Sequence, residues 1–568
     1  MNSLWIVLIS GLIYLAAYKF YGWFIVKKVF RSDESNPVPS VELRDDIDYM
    51  PTNKEVLFGH HFASIAGTGP IVGPAIAVIW GWVPALIWVI VGSIFAGAVH
   101  DFAALIISVR NKGLSMGEIT GSIINKRVQM IFLSVIFFSL WIVVAIFGLV
   151  IAVIFSMYPQ SVFPVWMQIP IAVSVGWLAY KRKMNIAVLS GLAVIFMYVT
   201  IIIGAKLPLA MPPLLGMDPV SIWIILLFIY AFIASVLPVW TLLQPRDYIN
   251  SHQLIIGLAL LILGVIFSRP AIVAPALRVA PEGAPPIFPF LFITVACGAI
   301  SGFHSLVSSG TSSKQLKNEA DARFVGFGGM LVEGFLAVMV IVAVTAGIGL
   351  YAAGKNGEIL RGVAAWDHYY SSWAAMQGLS AKISAFVDGS ANMLQALGIP
   401  LKYGYSIIGV FVASFAGTTL DSATRIQRYI LSEFACNLRL NVLKKRYPAT
   451  FVVVLAAALL AFSQGGGKGA LRLWPLFGTS NQLLAGLTLL VASVYLIRLR
   501  SASWPAVGPM LFMIFISGWA MVMNIIRFTR SGDWHLMVLG GFILILEIWM
   551  IWEVVNKIKL SMIRRYKK

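Results

Sequence analysis

The sequence predicts an all-α polytopic membrane protein of about 15 transmembrane helices, folded around a five-plus-five inverted repeat with extra flanking helices. Three observations carry that reading. Of 568 residues, 59% are hydrophobic and 11% charged, whereas a soluble domain carries about a quarter charged residues. Apolar runs of the ~17–25 residues needed to cross a bilayer recur along the whole chain. They fall at 4–26, 58–79, 84–109, 130–157, 166–180, 186–204, 220–240, 253–268, 287–310, 324–351, 404–424, 449–464, 473–497, 507–528 and 534–556, with 166–180 and 253–268 short enough to be half-spans. Finally, two of these runs are interrupted by glycine or proline at corresponding positions of what would be antiparallel halves.

The N-terminal segment 1–57 holds a helix and a loop. Run 4–26 lacks a basic leader, exceeds a signal-peptide core and is followed by Lys27, Lys28 and Arg31, so it reads as a retained helix. Residues 31–56 mix Arg31, Arg44 and Lys54 with seven acids and three prolines, an irregular charged loop. The next run opens Gly59-His60-His61-Phe62-Ala63-Ser64-Ile65-Ala66-Gly67-Thr68-Gly69-Pro70. Proline removes a backbone donor and glycine favours non-helical dihedrals, so this helix is expected to break near Gly67–Pro70. In lipid, a broken backbone is tolerated only where protein buries it or it lines a cavity, and a discontinuous helix points to a transporter's binding site.

Five core helices later, run 220–240 carries Ala234-Ser235-Val236-Leu237-Pro238 and is followed by Gln244-Pro245-Arg246-Asp247-Tyr248. Taking it as the second broken helix gives a first repeat at 58–204, a second at 205–434 with an external loop at 352–403, and four peripheral helices within 435–568. A seven-plus-seven division (58–268 and 287–556) also closes, its second half breaking first at Gly298–Gly302. In the loop 352–403, Trp366, Tyr369, Tyr370 and Trp373 share one helix face at i, i+3, i+4 and i+7. That face suits either an interfacial aromatic anchor or a lid over the transport path.

The formal charge of +19 is explained by orientation. With the N-terminus outside, cytoplasmic segments hold 30 of the 42 lysines and arginines, and the basic tail Lys557–Lys568 ends inside. External loops then contain Asn356 and Gly466, internal ones Asn111 and Asn318. No basic, aromatic-interleaved soluble domain exists to bind nucleic acid; the surplus charge faces the lipid bilayer. Cys297 inside a span and Cys436 on the cytoplasmic side imply neither a disulfide nor a cysteine metal site. His60 and His61 lack a second cluster at metal-ligand spacing, no cofactor motif is present, and no phosphate-binding glycine–lysine loop supplies an ATP motor.

Ionisable groups within the bilayer are costly and mark function by default. His61, His100, Asp101 and His304 lie toward the cytoplasmic half of their spans, and Glu333 is a lone acid inside 324–351. Imidazole titrates near neutrality, so these groups can form a proton relay; the alternative is a structural lock between helices. Ser308 and Ser309 with Thr311 offer hydroxyls that, facing the unwound carbonyls near Ser64–Gly67, would suit Na⁺ instead. Asp421 and Arg425, at i and i+4, read as an ion pair serving a cytoplasmic gate. Ser64, Gly67, Thr68, Gly69, Ser235, Pro238 and Trp240 are the candidate substrate-lining residues. A substrate carboxylate would meet the N–H groups and positive dipole end at Gly67–Gly69.

Several ordered motifs resemble the carbon starvation protein A (CstA) family. They are Gly59 to Pro70; Val99-His100-Asp101 with Ser115-Met116-Gly117-Glu118-Ile119; Gln244 to Tyr248; Phe303-His304-Ser305 with Ser309-Gly310-Thr311; and Thr418-Thr419-Leu420-Asp421-Ser422-Ala423-Thr424-Arg425. The resemblance spans about residues 4–530. It implies a bacterial inner-membrane secondary transporter of the LeuT-like inverted-repeat type, taking up small peptides under carbon limitation or pyruvate with protons. The expected function is therefore proton-coupled peptide import, with pyruvate/H⁺ symport as the alternative. From another class, a membrane solute sensor or scaffold would bind without transport. No nucleophile–base pair at useful spacing argues for an enzyme. Oligomeric state is not legible.

Overall fold

The computed structural model describes residues 2–354, 358–376, 378–463 and 469–566, with side chains to Lys557 apart from Asn437 and Leu471. The expected external loop positions Asn356 and Gly466 lie outside the described residues.

In chain order the helices are α1 (Ser3–Val29), α2 (Lys54–Ile65), α3 (Gly69–Trp80), α4 (Trp82–Arg110), α5 (Met116–Ile123), α6 (Lys126–Met157), α7 (Pro159–Lys181), α8 (Ile186–Lys206), α9 (Pro219–Val236) and α10 (Leu243–Ser268). They continue as α11 (Ile287–Val295), α12 (Gly302–Gly310), α13 (Glu319–Leu350), α14 (Gly362–Tyr370), α15 (Leu379–Gln395), α16 (Leu401–Asn437), α17 (Arg446–Phe462), α18 (Trp474–Arg498), α19 (Trp504–Ser531) and α20 (Trp534–Lys557). Among the described residues, strands amount to one antiparallel pair, Ala352–Ala353 with Ile359–Leu360. Among the described residues, thirteen spans are long and apolar enough to cross a membrane, and the pair α2–α3, bent by 47°, makes a fourteenth. The 17-residue apolar helix α17 occupies the place of the remaining sequence-read run. The chain is a multi-pass membrane protein.

Burial separates core from periphery. The most apolar windows of α6, α11–α12, α13, α16 and α18 are 83–89% buried, against 28–39% for α1, α7, α8, α19 and α20. A helix hydrophobic all round and buried belongs inside a bundle, whereas the exposed ones show lipid an apolar face. α18 therefore does not belong to a peripheral C-terminal set, because it packs on the second broken helix, α12.

The first break falls where glycine and proline place it: α2 ends at Ile65, Ala66 leaves helical dihedrals (φ −74°, ψ 50°), and α3 starts at Gly69. The second does not lie in 220–240. α9 is a complete helix ending at Val236, and Pro238 sits in the 237–242 turn leading to α10. The helix packed against α3 is instead α11–α12, broken at Ala296–Ser301, with Ala296 at φ 31°. Pro238 breaks nothing because it falls after a helix end, where proline is ordinarily found.

The packing groups the helices accordingly. α4 lies against α13, and the long helices α6 and α16 cross each other. α9 contacts α6, α16 and α17, while α17 contacts α16, α6 and α9. α10 runs along α2, and α18 along α12. We read five helices per repeat: α2–α3, α4, α6, α9 and α10, then α11–α12, α13, α16, α17 and α18. Hairpin α7–α8 is inserted within the first repeat, and its residues Ala172, Val175, Leu189 and Met197 belong to a separate small cluster. On that grouping the two broken helices lead 54–268 and 287–498, whereas the sequence reading set the halves at 58–204 and 205–434.

The aromatic face in 352–403 turns inward. Trp366 and Tyr370 are buried and stacked, the Tyr370 hydroxyl donates to the Ala75 carbonyl at 2.8 Å, and Trp373 packs on Trp80. This segment caps α3 and is not an anchor lying flat on the membrane.

Candidate functional site

At the first break, side chains of α16 satisfy the backbone freed by unwinding. Thr419 Oγ1 donates to the Ser64 carbonyl at 3.3 Å, and Ser64 Oγ lies 3.0 Å from Ser422 Oγ. A Cβ at Gly67 would collide with Thr419 Oγ1 and stand 2.9 Å from Phe147 of α6. At Gly69 it would collide with the Cys297 side chain, at the second break. Ser64, Gly67, Thr68 and Gly69 are therefore where α2–α3, α6, α16 and the second broken helix meet. Thr68 Oγ1 is buried there with no hydrogen-bond partner among the described residues. The second break is held by α18: Asn481 Oδ1 accepts from the Phe303 N–H at 2.9 Å, and Gln482 donates to the Ile300 carbonyl at 2.9 Å. These contacts replace the orphan partners of a helix end.

Below the breaks, toward the end bearing the 31–53 loop, lies a run of four ionisable side chains with no solvent exposure. His100 Nδ1 is 2.7 Å from Asp101 Oδ1, His304 Nδ1 is 2.9 Å from Asp101 Oδ2, and His304 Nε2 is 3.4 Å from Glu333 Oε2. Four residues from α4, α12 and α13, separated by up to 233 positions (His100 to Glu333), thus form one line. Each imidazole–carboxyl contact needs one proton between its atoms. Two of these contacts, His100–Asp101 and His304–Asp101, are hydrogen bonds, while His304 Nε2 and Glu333 stand at ion-pair distance without one. His61 Nδ1 lies 2.9 Å from Ser312 Oγ, and its ring rests against Gly329, one turn before Glu333 on α13. His61 borders the line without hydrogen-bonding to it.

A second buried network ties α2, α9, α10 and α16. His60 Nδ1 is 2.6 Å from Asp247 Oδ2, Arg246 pairs with Asp421 and Tyr230, and Tyr230 donates to Asp421 at 2.7 Å. Buried charges are tolerated when paired and hydrogen-bonded in this way. The expected Asp421–Arg425 pair is absent. Arg425 donates instead to the Ala234 and Leu237 carbonyls at the end of α9, while Asp421 is taken up by Arg246 of α10 and Tyr230 of α9. Asp247, Arg246 and Tyr230 carry this network although no local feature of the sequence assigns them a partner, Arg246-Asp247 lying in the Gln244–Tyr248 motif. Thr419 and Ser422 likewise face the break unforeseen.

Other expected positions lie elsewhere. Ser235, Pro238 and Trp240 belong to the end of α9 and its following turn, where Trp240 meets Tyr180 and Lys181, so they do not share the Gly67 region. Ser309 Oγ is committed to the Ser305 carbonyl and the Met116 N–H; Ser308 Oγ is buried without a hydrogen-bond partner among the described residues. The hydroxyls that face the Ser64 carbonyl come from α16, not from Ser308 and Ser309. Cys297 and Cys436 are free thiols.

A helical membrane bundle with two discontinuous helices meeting at its centre defines a transporter of the LeuT-like inverted-repeat class, not an enzyme. The particular branch is set by comparison: the profile of the Carbon starvation protein CstA family matches residues 2–520, and the chain belongs to that family. It is similar to the peptide transporter CstA of Escherichia coli, 35% identical over 91% of this chain and 81% of that one. It is also similar to the pyruvate/proton symporter BtsT of the same organism, 33% identical over 92% and 81%. Among solved structures, a manganese transporter of Eremococcus coleocola is 12% identical and covers 91% of this chain and 99% of its own, with a TM-score of 0.50. That likeness concerns the fold alone.

Proposed function

We propose that this protein is a proton-coupled importer of small peptides in the bacterial inner membrane, with its N-terminus outside, serving cells short of carbon. The observation that carries the reading is the buried line His100–Asp101–His304–Glu333. His304 belongs to α12, half of a broken helix, while its carboxylate partners stand on α4 and α13. Any displacement of α12 changes how many protons the line holds, which is the differential interaction that a coupling ion requires. Cys297, at the break of the same helix, stands seven residues before His304 and touches Gly69 in the proposed substrate region. Substrate and proton would thus act on one discontinuous helix.

A substrate carboxylate would be received by the N–H groups of Thr68 and Gly69 at the start of α3, near Ser64, since the Gly67 N–H already donates to the Ile65 carbonyl at 2.8 Å. Pyruvate is the second reading, favoured by the 33% identity to a pyruvate/proton symporter and by its sharing that carboxylate. The test is uptake of labelled dipeptide and of labelled pyruvate into proteoliposomes in sodium-free buffer, with an inward-directed pH gradient. Accumulation that a protonophore collapses is the expected result. Accumulation that requires Na⁺ and ignores pH would transfer coupling to Ser64, Thr419 and Ser422. Counterflow without gradient-driven accumulation would remove the coupling, and no flux of either kind would leave a sensor or scaffold.

A further inference from the structure

At the end opposite the 31–53 loop, under the α14–α15 segment, a cavity of about 430 Å³ lies between α15, α18 and α19. This is the size range of small-ligand sites. A second cavity of about 70 Å³ shares Trp373, Lys382, Trp474 and Arg527 with it and reaches Gly69 and Cys297 at the two helix breaks. Three cations line the outer cavity against one carboxylate: Lys382, Arg472 and Arg527 against Asp533. That carboxylate is spent, since Arg472 Nη1 lies 2.8 Å from Asp533 Oδ1 and Ser531 donates to Oδ2 at 2.7 Å. Lys382 has no acidic partner among the described residues, and its ammonium stands 5.7 Å from the centre of the Trp474 ring. Burial lowers its pKa to about 8, so it still carries its proton at neutral pH. A half-buried cation without a counter-ion, beside an open cavity, has an unmet demand for an anion.

We propose that Lys382, supported by Arg527 and Trp474, forms a capture site for organic carboxylates in an outer vestibule, one step before the helix breaks. The placement is specific: Lys382 lines both cavities, so a carboxylate held there already borders the passage to Gly69. Three of the contributing elements, α15, α18 and α19, come from the external segment and the C-terminal helices, which gives the latter a part in substrate selection. This site rests on the import reading for its direction but not for its chemistry.

The test is calorimetric titration of the detergent-solubilised full chain with pyruvate, alanyl-alanine and the C-terminal amide of alanyl-alanine. The two acids are expected to bind about tenfold tighter than the amide, the factor a charge-assisted contact supplies. Lys382→Gln should shrink that preference by weakening the acids without weakening the amide, and Lys382→Arg should restore it. A merely structural lysine would shift all three ligands together. Acid binding to Lys382→Gln equal to wild type, equal binding of acid and amide by wild type, or binding of none of the three would each overturn the site. If the binding pattern holds while vesicles show no flux, transport fails and the capture site stands.

Discussion

Replacing Asp101 by asparagine separates coupling from binding. Asp101 accepts from His100 at 2.7 Å and from His304 at 2.9 Å, one imidazole on each oxygen. An amide offers one acceptor and turns its NH₂ toward the other imidazole, so at least one buried donor loses its partner, at about 1–3 kcal/mol. The lost charge adds to this, because unit charges 4 Å apart interact by about 4 kcal/mol at an effective dielectric of about 20. Part of that is returned, since no carboxylate then has to be dehydrated. A net loss of about 3 kcal/mol in holding the transported proton corresponds to roughly a hundredfold. In proteoliposomes, gradient-driven uptake of labelled dipeptide by Asp101→Asn should fall by about that factor, whereas counterflow exchange stays close to wild type, because exchange cycles without releasing the proton. Two results refute the reasoning: undiminished, protonophore-sensitive accumulation, or equal loss of uptake and exchange. The second would make Asp101 a binding or packing residue.

Gly67→Leu should abolish uptake with membrane insertion retained, and even Gly67→Ala should lower the melting temperature, since its Cβ meets Thr419 and Phe147 at an overpacking cost of about 1–3 kcal/mol; scanning fluorimetry and vesicle uptake read both. Asp421→Asn leaves Arg246 buried without its main counter-ion and should destabilise by about 3 kcal/mol; stability recovered in Arg246→Met/Asp421→Leu would confirm a structural role, and normal uptake by that double variant would remove the network from the gate. Asp388, half-buried against the Tyr369 hydroxyl at 2.7 Å, has its pKa raised from 3.8 to about 6, chiefly by burial. The folded state therefore holds its proton more tightly than the unfolded one, and stability present below about pH 4 is lost as pH rises through about 6. Asp388→Asn should flatten that segment of the melting-temperature profile, which an unchanged slope would contradict. In a Cys436→Ser background, cysteines at Asn111 and Asn318 should label only after permeabilisation and one at Leu215, 94% exposed, from outside; external labelling at Asn318 would invert the orientation.

Membrane residence, helix number and the first break follow from local properties that the sequence carries openly. Apolar length decides what enters lipid, and a Gly-Thr-Gly-Pro step unwinds wherever it lies. The same logic isolates His100, Asp101, His304 and Glu333, because an ionisable group in a span is conspicuous whatever surrounds it. It also misplaces the second break, since a proline in an apolar run looks alike inside a helix and just past its end. Pro238 is the latter, and the true break, Ala296–Ser301, contains no proline. What only the tertiary structure decides is partnership. Nothing local says that Asp421 reaches Arg246 rather than Arg425, or that Thr419 rather than Ser308 faces Ser64. Nor does anything local place His304 between two carboxylates from different helices, or Lys382 beside a cavity that ends at Gly69. Those pairings depend on which helix faces turn together across hundreds of residues, and that is fixed by packing the whole bundle at once.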